Sequence, residues 1–309
     1  MALPLALVGI GKIARDQHIP SIADTSGLTL AATASRNPAA TVENVSAYSS
    51  LANLLDAEPG IGAVSLATPP QARFVDAARA LSAGKHVMLE KPPGATLSEV
   101  HRLMEIAAEA GVTLFATWHS REAAAVDAAR DWLKSKVLTA LRINWKEDVR
   151  QWHPGQDWIW EPGGLGVFDP GINALSVMTA ILPHGVHLAA ANLHFPENRA
   201  TPVAADLTFR DPDGAEVTAA FDWLETGPPT WVIEIETTDG NARLSDGGAR
   251  FQPEGGTEIA GADMEYRRLY ARFVEVVASG KSEVDLAPMR HVADAFTLGR
   301  RIAAPAFHW

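Results

Sequence analysis

Cysteine is absent from all 309 residues, so the chain has no disulfide framework, no thiolate metal site and no thiol nucleophile. Positive charge is also scarce: 26 Lys and Arg stand against 37 Asp and Glu, leaving a net charge of −11. With no basic stripe to neutralise phosphates, neither nucleic acid nor an anionic membrane surface is expected as a partner. No run reaches the ~20 uninterrupted apolar residues of a membrane span. The apolar start, MALPLALVGIGK, lacks a basic leader and a small-residue cleavage site, so it does not read as a signal peptide. HxH and HExxH spacings are missing, and no metal site is expected. Internal repeats and low-complexity tracts are missing too. What remains is 47% hydrophobic and 20% charged, the composition of a soluble globular protein. A cytoplasmic protein of two domains is the expectation.

Up to about residue 120, apolar runs alternate with helical spacing. Leu3–Ile10, Leu28–Ala34, Ala63–Ala67, His86–Leu89 and Val112–Thr117 read as strands. Segments from about Ile13, and over Leu51–Asp56, Gln71–Ser82 and Leu97–Ala110, read as helices. Strands alternating with helices at this spacing argue for βαβ units and a parallel sheet. Beyond a helix at about Ala123–Ser135, strands dominate. Ala204–Phe209 and Glu216–Trp223 flank Asp211-Pro212-Asp213-Gly214, and Trp231–Thr237 and Ala242–Ser245 flank Asp239-Gly240. Both intervening stretches are hairpin signals, which make antiparallel neighbours. Asp263–Ser279 and Pro288–Ala303 read as helices. The expected fold is α/β: a doubly wound parallel sheet over residues 1–121, then an α+β domain over 122–309 with an open, mainly antiparallel sheet. Its C-terminal helices can pack back on the first domain.

Gly9-Ile10-Gly11-Lys12-Ile13-Ala14 fits G-x-G-x-x-G/A between the first strand and the first helix. The first glycine permits a tight turn, and the second lets backbone approach a pyrophosphate. Ala14 keeps the helix close to the sheet, and the helix N-terminus offers N–H donors to the anion. In this context the motif reads as the dinucleotide loop of a Rossmann domain rather than an ordinary turn. NAD sites usually carry Asp or Glu at the end of the second strand. Here the strand runs into Ala34-Ser35-Arg36-Asn37. Ser35 and Arg36 can hold a 2′-phosphate, which favours NADP with NAD tolerated; a solvated loop arginine is the alternative.

The stretch VMLEKPPG, residues 87–94, ends an apolar run in Glu90 and Lys91 and then locks the backbone with two prolines. Ligands of doubly wound sheets sit outside the carboxyl ends of the strands. Lys91 at such an end can reach a cofactor ribose and a substrate together. The alternative is an exposed Glu–Lys loop pair.

Three features in order, Gly-x-Gly-Lys-Ile-Ala, then Ala67-Thr68-Pro69-Pro70, then Glu90-Lys91-Pro92, resemble the Gfo/Idh/MocA oxidoreductases. Trp145-Lys146-Glu147-Asp148, Trp152-His153-Pro154-Gly155 and Gly166-Val167-Phe168-Asp169-Pro170-Gly171-Ile172-Asn173 are similar to bacterial aldose 1-dehydrogenases acting on D-galactose and L-arabinose. The resemblance spans essentially the whole chain. It implies NAD(P)-dependent oxidation of the anomeric hydroxyl of D-galactose, L-arabinose or D-fucose to a lactone. It implies that Gly9, Gly11, Lys12, Ile13, Ser35, Arg36, Thr68, Glu90 and Lys91 serve the cofactor. It further implies that Lys91, Asp169 and Asn173 surround the reacting carbon, and that the open sheet can mediate a homodimer. Most members carry Asp-x-x-x-His where this chain has Asp169 and Asn173, so a histidine base is out of play there. An inositol-type ring-alcohol dehydrogenase and a non-catalytic NAD(P)-binding sugar sensor are the competing readings.

Asp169 and Asn173, four residues apart, share a helix face. Pro170 suits a first helical position, so Asp169 is either an N-cap or a free carboxylate able to take the proton of the sugar C1 hydroxyl. Lys91, if neutral, is the competing base. Asn173 can only exchange hydrogen bonds, which suits orientation of the C1 oxygen. Four tryptophans, Trp145, Trp152, Trp158 and Trp160, crowd one stretch with Glu147 and His153. Some serve the core, while an exposed indole face can pack on a sugar ring. Glu147, Trp152 and His153 are the expected sugar-binding residues, with His119, after a strand end, a further candidate.

Overall fold

The structure, a computed structural model, describes residues 2–309. The described residues form two compact units. One contains the chain up to His119 together with Tyr266–Asp285; the other contains Ser120–Glu265 and Leu286–Trp309. The sequence-based boundary after residue 121 therefore lies two residues beyond the structural one. Of the C-terminal helices, the Glu265–Ala278 helix falls almost wholly in the first unit, and Ala287–Leu298 stays in the second.

The first unit holds six parallel strands: β1 (Leu3–Val8), β2 (Leu28–Ala34), β3 (Ser46–Tyr48), β4 (Ala63–Leu66), β5 (His86–Leu89) and β6 (Leu114–Ala116). Their order is β3-β2-β1-β4-β5-β6. Side chains of β1 alternate between two cores, which is why its sequence is apolar throughout. Leu5 and Leu7 pack with Ile22, Met88, Tyr266, Leu269, Tyr270 and Phe273 on one face. Ala6 and Val8 pack with Leu51, Leu54, Ala77, Leu81 and Leu103 on the other. Order reverses between β1 and β4, and there the doubly wound sheet opens a crevice at its strand ends. Local chemistry sets the surrounding helices: Ser50 and Thr96 cap Leu51–Ala57 and Leu97–Ala110, and Gly111 ends the latter in the left-handed region (φ 66°). After the glycine turn, Ala14–His18 winds as a wide π-helical turn before an α-helix begins at Ile19.

The second unit is built on nine strands. These are β7 (Leu138–Lys146), β8 (His187–Pro196), β9 (Ala204–Arg210), β10 (Glu216–Asp222), β11 (Thr230–Thr237), β12 (Gly240–Ser245), β13 (Arg250–Pro253), β14 (Ile259–Ala260) and β15 (Arg300–Ala304). They order β14-β13-β12-β11-β7-β10-β9-β8-β15. Both expected hairpins form, β9–β10 and β11–β12, and two parallel pairs, β7–β10 and β8–β15, make the sheet mixed. Residues of β9 alternate buried and exposed, leaving one sheet face open while helices cover the other. The Phe168–Ile181 helix crosses that covered face, where Gly171 meets Phe221 of β10.

One expectation fails. The helix expected over Pro288–Ala303 stops at Leu298, and Arg300–Ala304 is an edge strand parallel to β8. Gly299 turns extended at φ −69° and ψ 131°, and a Cβ there would run into the Ala295 carbonyl oxygen. Glycine's poor helix propensity ends the helix, and the free edge of β8 captures Arg300–Ala304 as a strand.

Candidate active site

In the first unit, a cleft of about 570 Å³ opens at the β1–β4 reversal. Gly9, Gly11, Ser35, Arg36 and Thr68 line it, with Ser49, Ser50 and Asp76. Gly9 sits at φ 89°, and a Cβ there would lie 2.9 Å from the Ala67 carbonyl carbon, so only glycine fits. The space above Gly11 is open. Thr68 Oγ1 is buried and has no hydrogen-bond partner among the described residues. Arg36 makes no ion pair among them, and no Asp or Glu follows β2 before Glu43. A bare backbone at the turn, an unused hydroxyl and an unspent guanidinium fit a nicotinamide dinucleotide. Lys12 and Ile13, expected to join the cofactor site, lie outside this lining. Lys12 pairs with Asp16 at the surface, and Ile13 is 40% exposed.

The end of β5 answers differently from its sequence. Glu90, expected at the cofactor, turns its carboxylate inward and is 6% exposed. Its Oε1 accepts from Tyr266 Oη at 2.8 Å and lies 3.3 Å from His18 Nε2. Its Oε2 accepts the Lys91 backbone N–H at 2.9 Å. Burial alone would raise the carboxyl's pKa, but contact with His18, the charge of His119 and the Tyr266 hydroxyl together hold it well below the usual carboxylate range. His18 Nδ1 lies 2.7 Å from Tyr270 Oη, which reaches Ser65 Oγ at 3.0 Å. Burial pushes the Tyr270 phenol well above its ordinary range. Buried Arg73 donates to the carbonyls of Thr68, Glu90 and Pro92, tying the ends of β4 and β5 together. Lys91, which precedes a cis peptide to Pro92, is thus carried on a fully braced loop. His119 stacks on Tyr266 with ring centroids 5.4 Å apart. None of His18, Arg73, Tyr266 and Tyr270 stands in a recognisable motif; an isolated polar residue in an apolar helix face was their only signal.

In the second unit, the ends of β7 and β10 meet the first turn of the Phe168–Ile181 helix. Asp169 lies inside that turn, not at the cap: Val167 is the capping position and makes no side-chain cap bond. The carboxylate is 5% exposed, and its Oδ2 lies 3.2 Å from His153 Nε2. Asn173 is half-buried, and its side-chain amide makes no hydrogen bond among the described residues. Glu147 is buried between two indoles, accepting from Trp223 Nε1 at 3.2 Å and Trp231 Nε1 at 2.9 Å. Trp152 is 38% exposed and tilts against Trp231, with centroids 5.4 Å apart. Trp145 and Trp160 are core residues. The sequence shows the tryptophan cluster but not that Trp223 and Trp231, from β-strand termini, complete it. Gln156, beside His153, gave no signal at all.

The chain has close relatives. Residues 3–117 match the model of an oxidoreductase family with an NAD-binding Rossmann fold, Gfo/Idh/MocA. The sequence is 41% identical to a galactose 1-dehydrogenase of Pseudomonas fluorescens, with 98% of each chain covered. It is 56% identical to a D-galactose-1-dehydrogenase from Rhizobium etli, whose crystal structure matches with a TM-score of 0.95 over 99% of this chain and 98% of that one. A 3-ketoreductase from Actinomadura kijaniata, solved with NADP and TDP-benzene, shares the fold at 18% identity and a TM-score of 0.85, covering 99% of this chain and 100% of that one. A relative at this identity over nearly the whole length, with the nucleotide-binding model on the first unit, shows that the chain belongs to the Gfo/Idh/MocA oxidoreductase family.

Proposed function

We propose that the protein is an NAD(P)-dependent aldose 1-dehydrogenase that oxidises the anomeric hydroxyl of D-galactose, and of its ring-stereochemical relatives L-arabinose and D-fucose, to the lactone. The observation that carries this reading is the near full-length likeness to two galactose 1-dehydrogenases. The site chemistry supports it. Asp169, buried and not spent on capping, takes the proton of the C1 hydroxyl; Asn173, four residues on with its amide unspent, orients that oxygen. Lys91 supplies a positive charge to the reacting oxygen or competes as base. Glu147, oriented by the two indoles, serves a sugar hydroxyl, and Trp152 offers an apolar face to the ring. His153 and His119 are the remaining hydroxyl partners. Gly9, Gly11, Ser35, Arg36 and Thr68 hold the dinucleotide, which when bound supplies the hydride acceptor; Arg36 without an acidic neighbour favours NADP.

Absorbance of reduced nicotinamide tests the reading, with D-galactose, L-arabinose, D-fucose, D-glucose and myo-inositol, each with NAD and NADP. A site reading hydroxyls by hydrogen bonds accepts the galacto-configured sugars and rejects the epimer strongly. Asp169→Ala is expected to lower kcat/KM by about 10²–10⁴. Reduction with myo-inositol alone would reassign the substrate, and NADP binding without any sugar-dependent reduction would leave a sensor.

A further inference from the structure

We infer that Phe307 is a positioning residue for the sugar: held by Asn198, it backs the indoles of Trp160 and Trp223 and so sets the places of Glu147 and His153. This rests on the dehydrogenase reading above, which puts those two side chains on sugar hydroxyls, and adds to it the element that holds them still.

The arrangement starts at a proline. β15 ends at Ala304, and Pro305 has no N–H with which to continue a ladder, so the chain leaves the edge of β8. Asn198, in the turn that follows β8, then catches it. Asn198 Nδ2 donates to the Phe307 carbonyl at 2.8 Å, and Asn198 Oδ1 accepts the Phe307 N–H at 2.8 Å. A side-chain amide carries a donor and an acceptor side by side, so it can hold both backbone groups of one residue, as a neighbouring strand would. With both groups held, the direction of the Phe307 side chain is set.

That side chain is buried, and it begins a stack. The Phe307 ring lies 4.8 Å from Trp160, centroid to centroid, and Trp160 lies 5.3 Å from Trp223. Trp223 meets the His153 ring edge-on, centroids 5.4 Å apart, and donates Nε1 to Glu147 Oε1 at 3.2 Å. Rings at these spacings touch, and both indoles are buried in a close-packed interior. A void behind Trp160 is therefore felt at Trp223, and through Trp223 at Glu147 and His153.

The residues beside Phe307 grip the same loop directly. Arg150, which precedes Trp152, donates Nη2 to the His308 carbonyl at 3.0 Å and sets its guanidinium 4.8 Å from the centre of the Phe307 ring. Asp157, which follows His153, accepts from Trp309 Nε1 at 2.9 Å. The stretch that carries Trp152 and His153 is thus held at both ends by Phe307-His308-Trp309. All of these residues belong to the second unit, whereas the residues lining the nucleotide cleft belong to the first. Loss of the seat should therefore fall on sugar affinity and spare the nucleotide.

The test is steady-state kinetics of the full-length protein with D-galactose and whichever of NAD and NADP it reduces faster. Wild type is compared with Phe307→Ala, Phe307→Leu, Asn198→Ala and the Asn198→Ala, Phe307→Ala double variant. Phe307→Ala should raise the D-galactose KM about tenfold, with kcat and the nucleotide KM within about threefold of wild type. Phe307→Leu, which refills the seat, should recover most of the loss. Asn198→Ala should raise the same KM, and the double variant should be no worse than Phe307→Ala, because both act through one seat. A residue that only stabilises the fold would lower the active fraction, hence the apparent kcat, and leave KM alone. A wild-type sugar KM in Phe307→Ala, or effects that add in the double variant, would overturn the proposal. Hydrogen exchange on the wild type decides the matter even where a variant fails to fold. Linkage is reciprocal, so a seat that strengthens sugar binding about tenfold must itself open about tenfold less often when sugar is bound. The Phe307 amide should exchange about tenfold more slowly in saturating D-galactose with the reduced nucleotide, and an unchanged rate refutes the seat. A wild type that shows no sugar-dependent reduction refutes the dehydrogenase reading, and the role of Phe307 with it; normal turnover with an unmoved KM in Phe307→Ala refutes that role alone.

Discussion

The most consequential single residue is Glu90, expected at the cofactor and found with its carboxylate turned inward. A carboxylate at 6% exposure survives as an anion only because its oxygens are met by His18, Tyr266 and the Lys91 N–H. Removing the charge while keeping the shape, Glu90→Gln, leaves His18 facing an amide and the Lys91 loop held by a weaker acceptor. The pH dependence has a definite sign. The folded value lies below the ordinary one of 4.5, so the stabilisation is complete above that pH and drains away as pH falls below it. Urea unfolding should therefore find Glu90→Gln less stable than wild type at about pH 7, with the gap narrowing steadily from about pH 4.5 to 3. A gap independent of pH would mean that Glu90 acts by shape alone. Because Glu90 braces the backbone of Lys91, the same variant should lower kcat more than it raises the nucleotide KM.

Among elements, the Phe168–Ile181 helix matters most, because it carries Asp169 and Asn173 and seats them through Gly171. A Cβ at Gly171 would lie 2.8 Å from the Phe221 ring of β10. Alanine there gains up to about 1 kcal/mol of helix propensity. The flat ring belongs to a strand locked on both sides by β7 and β9 and cannot give way cheaply. The overpacking wins, and Gly171→Ala should cost about 1–3 kcal/mol in denaturant unfolding and shift the helix enough to reduce kcat. Unchanged stability and activity would show that the helix floats on its sheet. This helix also marks how far the sequence could be read. Its face, with Asp169 and Asn173 four apart, is set by spacing alone. Its start is not: Pro170 suggested a cap at Asp169, but tertiary bonds to Pro202 and Ile159 pull the first turn back to Phe168. The glycine loop and five of the six parallel strands were legible because each rests on local periodicity; β3, only three residues long, was not. Strand β8 was not, since its run of alanines carries no alternation and a bulge between Leu188 and Ala190 breaks its register. The inward turn of Glu90 and the Gln156–His153 contact depend on partners distant in sequence or on a loop without periodicity, and neither leaves a local pattern.

At the scale of the molecule, the chain's order hides how the first unit is made. All residues that line the nucleotide cleft fall between Val8 and Asp76. One face of its sheet, however, is closed by Tyr266, Leu269, Tyr270 and Phe273, contributed after the entire insertion of residues 120–265. Each such side chain is worth about 1.5–3 kcal/mol of burial, against a total domain stability of about 5–15 kcal/mol. Tyr266 also donates to the buried Glu90 carboxylate, and Tyr270 meets the buried Ser65 hydroxyl. Residues 1–119 expressed alone therefore carry every lining residue of the cleft and should still fail to bind NADP. The expected fragment shows no cooperative melt and binds a hydrophobic dye, and a peptide spanning 263–286 added in excess should restore both the melt and nucleotide binding. Cooperative unfolding of the fragment by itself, with a nucleotide-dependent rise in Tm, would show that the returning helix decorates the first unit rather than completing it.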